Sequence, residues 1–252
     1  MTTEQALISY TLRLADNVLI LSQRMIELVT AEPELEEELA NANFALDFIG
    51  QARMFYTHAG KLEGKGRSED DLAYMRDEHE FRNLLLLEQP NGHFGDALVR
   101  QYLFEIFYVH QLESLTRCSD QGLAEIATRA LKEVKYHCRH SSQWLIRLGD
   151  GTDFSHERVQ ASLDDAWRFT GEMFTADDID VVVQEKFDGP DLDAIRQLWI
   201  RDVAKNVAEA TLRLPADQWM ASGGKQGQHS EHLGFMLADM QYLQRSFPGE
   251  TW

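Results

Sequence analysis

The sequence predicts an all-α fold in which a bundle of four long helices is followed by additional C-terminal helices. Apolar residues recur at alternating spacings of three and four along most of the chain, the period of one helix face. Short Pro-, Gly- and Asn-containing breaks separate these stretches, and no stretch alternates as a half-buried strand would. We expect a single helical domain over residues 1–252, with the core bundle at about 4–148 and the extra helices at about 155–246.

The first two predicted helices form a hairpin. Helix one runs from about Glu4 to Val29 and carries two adjacent apolar stripes, so it is expected to be buried over much of its circumference. Helix two begins at Pro33, which suits a first helical turn, and continues to about Ala59. Its inward face is expected to be the apolar stripe Leu35, Leu39, Ala42, Leu46 and Ile49.

The other predicted helices lie between polar or Gly-containing connections. They span about Leu72–Leu87, Phe94–Thr116, Leu131–Leu148, His156–Phe174, Ala176–Glu185, Asp191–Leu214 and Glu231–Ser246. The helix that contains 131–148 follows a short break at 119–122, so it is the antiparallel neighbour of the helix before it. A mostly apolar line from Leu123 to Trp144 passes through His137, and Glu133 and His140 share that side of the helix.

Each of the four long helices carries one acid on its inward side, at Asp16, Asp47, Glu105 and Glu133. This is the layout of ferritin-like di-iron carboxylate bundles, in which two helices supply a Glu and the other two a Glu-x-x-His. Here the pattern is incomplete, because none of the nine His has a Glu three residues before it. Gly50 stands three residues after Asp47, and the His nearest to Glu133 is His137, four residues on.

We therefore interpret the bundle as a ferritin-like scaffold without a working metal site. On this interpretation the inward acids pair inside the core with cations and imidazoles, for which the candidates are Arg13, Arg53, Arg100, Lys132 and His137. The alternative is that the acids and His137 do bind metal and that the chain is itself a di-iron or other metal-dependent oxygenase. A second alternative, an iron-storage or stress protein, requires ferroxidase ligands that the sequence lacks.

Charge and cysteine usage indicate the kind of partner and the compartment. Asp and Glu total 42 against 24 Lys and Arg, a formal charge of −18, which disfavours nucleic acid and anionic membranes as partners. A protein with a basic patch fits better, although the acid also serves solubility. The two cysteines form no C-x-x-C motif, and the N-terminus has no signal-peptide pattern, so we expect a cytoplasmic protein.

A Gly-rich loop at 223–229 is a candidate contact with a CoA phosphate or with a partner, through Lys225, Gln226 and His229. It lacks the strand and the Lys-Ser/Thr pair of a P-loop. The competing interpretation, which the weakness of Gly-rich signals favours, is a structured connection between two helices.

Long segments of the sequence resemble one known family. They are YTLRLADNVLILSQR (10–24), LDFIGQAR (46–53), FRNLLLLEQPNGHF (81–94), KEVKYHCRHSSQWLIRLGDGTD (132–153), WRFTGE (167–172) and GGKQGQHSEHLGFMLADMQYLQRSFPGETW (223–252). The family is that of the PaaC-type C subunits of the multicomponent phenylacetyl-CoA epoxidase, also called ring-1,2-phenylacetyl-CoA monooxygenase. The resemblance covers nearly the whole chain.

The resemblance implies a non-catalytic structural subunit in phenylacetate catabolism, with a vestigial di-iron site at Asp16, Asp47, Glu105, Glu133 and His137. It implies no cofactor and no catalytic residue in this chain. The di-iron centre is expected in a catalytic A subunit that this chain stabilises. A B subunit and a reductase with flavin and an iron–sulfur cluster complete a system that uses O₂ and NADPH. A homodimer of the isolated chain is a further expectation.

Overall fold

A computed structural model of the chain describes residues 1–29, 33–216 and 219–250. That part of the chain is helical and contains no strand, which confirms the predicted all-α class. The helices are α1 (Thr3–Ile26), α2 (Leu35–Glu63), α3 (Glu69–Tyr74), α4 (Leu85–Glu88), α5 (Phe94–Leu115), α6 (Gln121–Gly149), α7 (Asp153–Trp167), α8 (Gly171–Phe174), α9 (Asp178–Phe187), α10 (Leu192–Glu209) and α11 (Glu231–Ser246). Short 3-10 turns occupy Glu78–Glu80 and Gly224–Gln226.

Local side chains set the ends of the long helices. The Thr2 hydroxyl accepts from the Gln5 backbone N–H before α1, and the Asp120 carboxylate accepts from the Leu123 N–H before α6. Gly64 ends α2 in a left-handed conformation, with φ of 68°. These signals explain why the long helices begin and end close to their predicted positions.

Helices α1, α2, α5 and α6 form the central bundle, an arrangement consistent with a ferritin-like fold. Helix α1 packs along α2, α5 packs along α6, and α2 also contacts α6. The α1–α2 pair is antiparallel, because Ser22 bonds to Ala45 while the earlier Asp16 bonds to the later Tyr56. Helices α7 and α10 cover α5 and α6, and α9 covers α1.

One hydrophobic core runs through the bundle and into the later helices. Phe48, Phe55 and Tyr102 are fully buried between the bundle helices, and Trp167 and Trp199 extend the core outward from α7 and α10. None of the helices in the described ranges is long and apolar enough to span a bilayer.

Helix α6 follows its predicted pattern closely. The side chains on its predicted inward line are buried: Leu123, Ala127, Ala130, Val134, His137 and Ser141. Trp144, predicted to continue that line, is only partly buried and packs its ring edge-on against Phe94 at 5.5 Å. The inward side of this helix was therefore predicted correctly over most of its length.

The predicted single helix at about Leu72–Leu87 is wrong. The segment instead forms α3, a 3-10 turn, an extended stretch and α4. Its backbone N–H groups bond to buried side chains of other elements: Arg82 to Asp16, Leu84 to Asn17 and Leu85 to Glu172. Because these tertiary acceptors take the place of carbonyls one turn back, the segment does not continue as a helix.

The predicted inward stripe of α2 is also wrong. Leu35, Leu39, Leu46 and Ile49 are exposed on the outer side of the helix. The side that meets α1 and α6 carries other residues: Asn41, Phe44, Ala45, Phe48, Gln51, Ala52, Phe55 and Tyr56. Both sides of α2 are apolar, and the three aromatic rings of Phe44, Phe48 and Phe55 fill the core better than the leucines would.

Smaller corrections concern the C-terminal helices. The predicted helix at about 156–174 is divided into α7 and α8, and α10 ends at Glu209 rather than at about 214. Thr211 has a φ of 58°, in the left-handed region that cannot continue a right-handed helix. The predicted end at Pro215 is therefore preceded by a turn that the sequence pattern did not indicate.

Candidate functional site

Asp16 lies in the interior of the bundle and is fully engaged by groups of this chain. Its carboxylate accepts from the Tyr56 hydroxyl at 2.6 Å, from both terminal nitrogens of the Arg76 guanidinium, and from the Arg82 backbone N–H at 2.8 Å. Burial, and after it the charge of Asp16, raises the pKa of Tyr56 well above its ordinary value. The charge of Asp16 is thus balanced by Arg76, a residue from the irregular segment after α3.

His137 on α6 donates from Nε2–H to the Asp47 carboxylate on α2 over 3.0 Å. The ring is fully buried and packs against Phe44 and Phe48, with centroids at 4.3 and 5.0 Å, whereas Asp47 is partly open to solvent. Burial lowers the pKa of His137, although Asp47 acts in the opposite direction, so the ring is neutral at pH 7. Nδ1 has no hydrogen-bond partner among the described residues.

Glu133 lies one turn before His137 and contacts the next polar residue of α2. Its Oε2 accepts from the Gln51 amide at 2.9 Å, and the Gln51 carbonyl accepts from the Tyr108 hydroxyl at 3.1 Å. Gln51 therefore fills the space between the α6 carboxylate and the α5 phenol. The Gln51 amide therefore links α2 to both α5 and α6 through hydrogen bonds.

Glu105 on α5 is fully buried, and within the described ranges no cation lies within hydrogen-bond reach of it. It accepts from Ser141 at 2.6 Å and from Gln101 at 2.8 Å. Burial raises the pKa of Glu105 to about 8, and the two hydrogen bonds lower it only in part. The carboxyl group is therefore protonated through most of the neutral range.

The five predicted positions do not come together as one site. Glu133, His137 and Ser141 follow one another at four-residue steps along α6, about 6 Å each, and each bonds to a different partner. Asp16 lies beside Tyr56, nine residues beyond Asp47 on α2, which is about 13 Å along the helix. Within residues 1–29, 33–216 and 219–250, no three His, Cys, Asp or Glu side chains are placed to hold a metal ion together.

A di-iron centre does not fit these residues. Such a centre needs several bridging carboxylates and two imidazoles around one point. Here one carboxylate contacts a guanidinium, one is protonated at neutral pH, and two bond separately to His137 and Gln51. The described residues therefore do not offer iron the set of ligands that such a centre needs.

The predicted partners of the inward acids were right for His137 and wrong for the other cations. Arg13 bonds to Asp177 at 2.7 Å and to Asp180 at 3.0 Å, both at the start of α9, the helix that covers α1. Arg53 pairs with Glu69 on the surface, Arg100 donates to the Gln89 and Pro90 carbonyls, and Lys132 is exposed. Arg76, the actual partner of Asp16, could not be found from helix periodicity because it lies outside the long helices.

The Gly-rich loop is anchored inside the chain by two of the three residues proposed to contact CoA or a partner. The Lys225 ammonium donates to Asp180 at 3.0 Å and to the Thr175 carbonyl at 2.9 Å. The His229 ring is buried between Glu88, at 2.8 Å, and the Phe81 carbonyl, at 3.0 Å. Gln226 alone of the three is exposed, so the geometry favours a structured connection.

Glycines in this loop allow close packing. A Cβ on Gly224 would lie 2.2 Å from the Asn83 carbonyl oxygen, and one on Gly227 would lie 2.3 Å from that of His79. The Glu172 carboxylate, also buried, accepts from the Gly223 and Lys225 N–H groups. Glycine here serves packing against the segment before α4 rather than approach to a phosphate.

A cleft of about 590 Å³ lies away from the bundle acids, between α7, α8 and α10. Its walls include Trp167, Phe174, Trp199 and Met220. It contains none of the predicted site residues, and no sequence motif indicated it.

Two comparisons bear on function. Residues 1–252 match the family described as phenylacetic acid catabolic protein. The chain is also 49% identical over 246 residues to the C subunit of the 1,2-phenylacetyl-CoA epoxidase of Escherichia coli (strain K12), an alignment that covers 98% of this chain and 99% of that protein.

Proposed function

We propose a function for this chain on the basis of its family. The chain belongs to the family of phenylacetic acid catabolic proteins. Within that family we infer that it is a non-catalytic, cytoplasmic component of a bacterial monooxygenase that epoxidises the ring of phenylacetyl-CoA. Its role is to stabilise the di-iron catalytic A subunit. A B subunit and a flavin and iron–sulfur reductase are the other components. The similarity to a protein named as one subunit of such an epoxidase supports a role inside a multi-subunit enzyme.

The contact between Arg76 and Asp16 is the main observation that supports a non-catalytic role. In a di-iron bundle an inward carboxylate of α1 would neutralise the charge of the metal. In this chain a guanidinium already does so, with the Tyr56 hydroxyl and the Arg82 N–H completing the shell of Asp16. A carboxylate bound in this way supports the fold instead of supplying a ligand.

The experiment is to purify the chain alone from iron-replete cells and to measure its iron and manganese, then to reconstitute it with the A and B subunits and the reductase. We expect little metal in the isolated chain, no NADPH-dependent turnover of phenylacetyl-CoA without the A subunit, and loss of soluble A subunit when this chain is omitted. About two tightly bound metal ions, with turnover by this chain alone, would instead establish it as an oxygenase in its own right.

A further inference from the structure

Helix α2 exposes a continuous apolar stripe on the side opposite the core. Leu35, Leu39, Leu46 and Ile49 are 65%, 58%, 61% and 37% exposed, and their spacing places them on one face together with Ala42. The other face buries Phe44, Phe48 and Phe55. A helix with apolar residues on two opposite faces normally buries both of them, so the outer face of α2 is suited to contact with another molecule.

Gly50 gives independent support, because no contact among the described residues requires a glycine there. It lies in the middle of α2 with helical backbone, and a Cβ built on it would meet no atom of those residues within 4 Å. By contrast, a Cβ on Gly60 of the same helix would lie 2.6 Å from the Arg67 carbonyl oxygen. Glycine destabilises a helix interior relative to alanine, so its presence points to a requirement outside the chain.

The position of Gly50 shows what that requirement is. It comes four residues after Leu46 and three before Arg53, on the same side of α2 as the exposed stripe. A surface without a side chain lets the backbone of a neighbouring helix approach closely. The outer face of α2 therefore has apolar contacts along most of its length and a close-approach point near its middle.

The charge of the chain favours a different protein, rather than a second copy of this chain, as the partner at this face. Glu34, the N-cap residue of α2, and Glu36, in its acidic first turn, are exposed at the start of the stripe. Each chain carries a formal charge of −18, so long-range electrostatics disfavour the approach of a second copy. A protein with Lys or Arg beside an apolar helix would complement both the stripe and its acidic end.

We propose that the outer face of α2, from Leu35 to Arg53 and including Gly50, is the surface on which the di-iron protein of the epoxidase packs a helix. This inference rests on the proposed function and names the docking face for that partner. The docked helix runs along α2 with its closest approach at Gly50, and its basic residues lie toward Glu34 and Glu36.

The test compares two doubly substituted chains in binding to the purified di-iron protein. Leu39→Glu with Leu46→Glu places charge in the stripe, and Val181→Glu with Leu198→Glu makes the same kind of change at exposed apolar positions of α9 and α10. We expect the stripe variant to bind about 30-fold more weakly or worse, the loss typical of a buried hot spot, and the control variant to bind as the wild type does. Circular dichroism of each isolated chain shows whether it is folded.

Two substitutions of Gly50 are expected to have different effects, one on the stability of the isolated chain and the other on binding. Gly50→Ala should raise the melting temperature of the isolated chain by about 2 °C, because alanine favours the helix. Gly50→Leu should weaken binding to the di-iron protein about tenfold or more while the isolated chain remains folded. A merely tolerated glycine would show the first effect without the second.

The results of these binding experiments separate the proposed docking face from the proposed function. If the wild-type chain binds the di-iron protein and the stripe and Gly50→Leu variants bind equally well, the docking face is wrong and the proposed function stands. If the wild-type chain does not bind that protein at all, both are overturned. If the stripe variant only converts a homodimer of this chain into monomers, the occupant is a second copy and the inference is wrong.

Discussion

Arg76 and Asp16 form a buried ion pair across the central bundle, although they lie on different elements and 60 positions apart in the chain. Arg76 Nη1 lies 3.2 Å from Asp16 Oδ2, and Nη2 also reaches the Tyr56 hydroxyl at 3.0 Å. The guanidinium further stacks on the Phe81 ring, at 4.2 Å from its centroid. This pair ties the irregular segment after α3 to α1 and α2, so its loss has consequences for the whole bundle.

Arg76→Met should destabilise the chain by about 3–5 kcal/mol, because it leaves the Asp16 carboxylate buried without its countercharge. Arg53→Met is the matched control, since Arg53 pairs with Glu69 while three-quarters of its side chain is exposed, and it should cost under about 1 kcal/mol. Urea denaturation followed by circular dichroism measures both. Equal losses in the two variants would contradict a special role for the buried pair.

Glu105→Gln should change how stability depends on pH. The pKa of Glu105 is raised to about 8 in the folded chain from an ordinary value near 4.5, so the folded state holds the proton more tightly than the unfolded state. The stabilisation is full below about pH 4.5 and is lost as pH rises toward 8. The glutamine variant has no such loss, so its advantage over the wild type should grow to a few kcal/mol between about pH 5 and pH 8.5.

Urea titrations at several pH values would test this directly. Glutamine can donate to Ser141 and accept from Gln101, so the substitution keeps the local hydrogen bonds. A constant difference between the two proteins across the range would show that Glu105 does not titrate between about pH 5 and pH 8.

His229→Gln should weaken the chain more at low pH than at high pH. Burial lowers the pKa of His229, but the Glu88 carboxylate and the Phe81 carbonyl outweigh it and hold the pKa above its ordinary value. The stabilisation from the protonated ring is therefore full below about pH 6.5 and is lost as pH rises through the raised pKa. Melting temperatures at about pH 5.5 and pH 9, with exposed His79→Gln as the control, measure the effect. A loss that is independent of pH would disprove this explanation.

The double variant Asp47→Ala, Glu133→Ala should lose stability without losing the chemistry of the assembled enzyme. Each carboxylate accepts one hydrogen bond from a more buried partner, His137 or Gln51, so we expect a combined loss of about 2–4 kcal/mol. Denaturation measures the loss, and turnover by the reconstituted complex, normalised to assembled material, measures the chemistry. A variant that folds and assembles normally but abolishes turnover would overturn the structural role of these acids.

Helix α6 shows how much of the structure could be predicted from the sequence pattern. The line through Val134, His137 and Ser141 was predicted to face inward and does so, because alternating spacings of three and four residues specify a helix face when the opposite face is polar. The acids Asp16 and Glu105 were placed in the core for the same reason. Their partners were not, because Arg76 and Ser141 reach them from other elements through contacts that local spacing does not encode.

By itself, the sequence determined that the chain is helical, which residues share each helix face, and that the Glu-x-x-His pattern of a di-iron bundle is incomplete. Only the tertiary structure decided which of two apolar faces of α2 meets the core, and that the guanidinium of Arg76 lies beside Asp16. The physical reason is that periodicity is a local property of one helix. The choice between two apolar faces depends on how well each fills the space between its neighbours, and the aromatic face of Phe44, Phe48 and Phe55 fills it, leaving the leucine stripe outside.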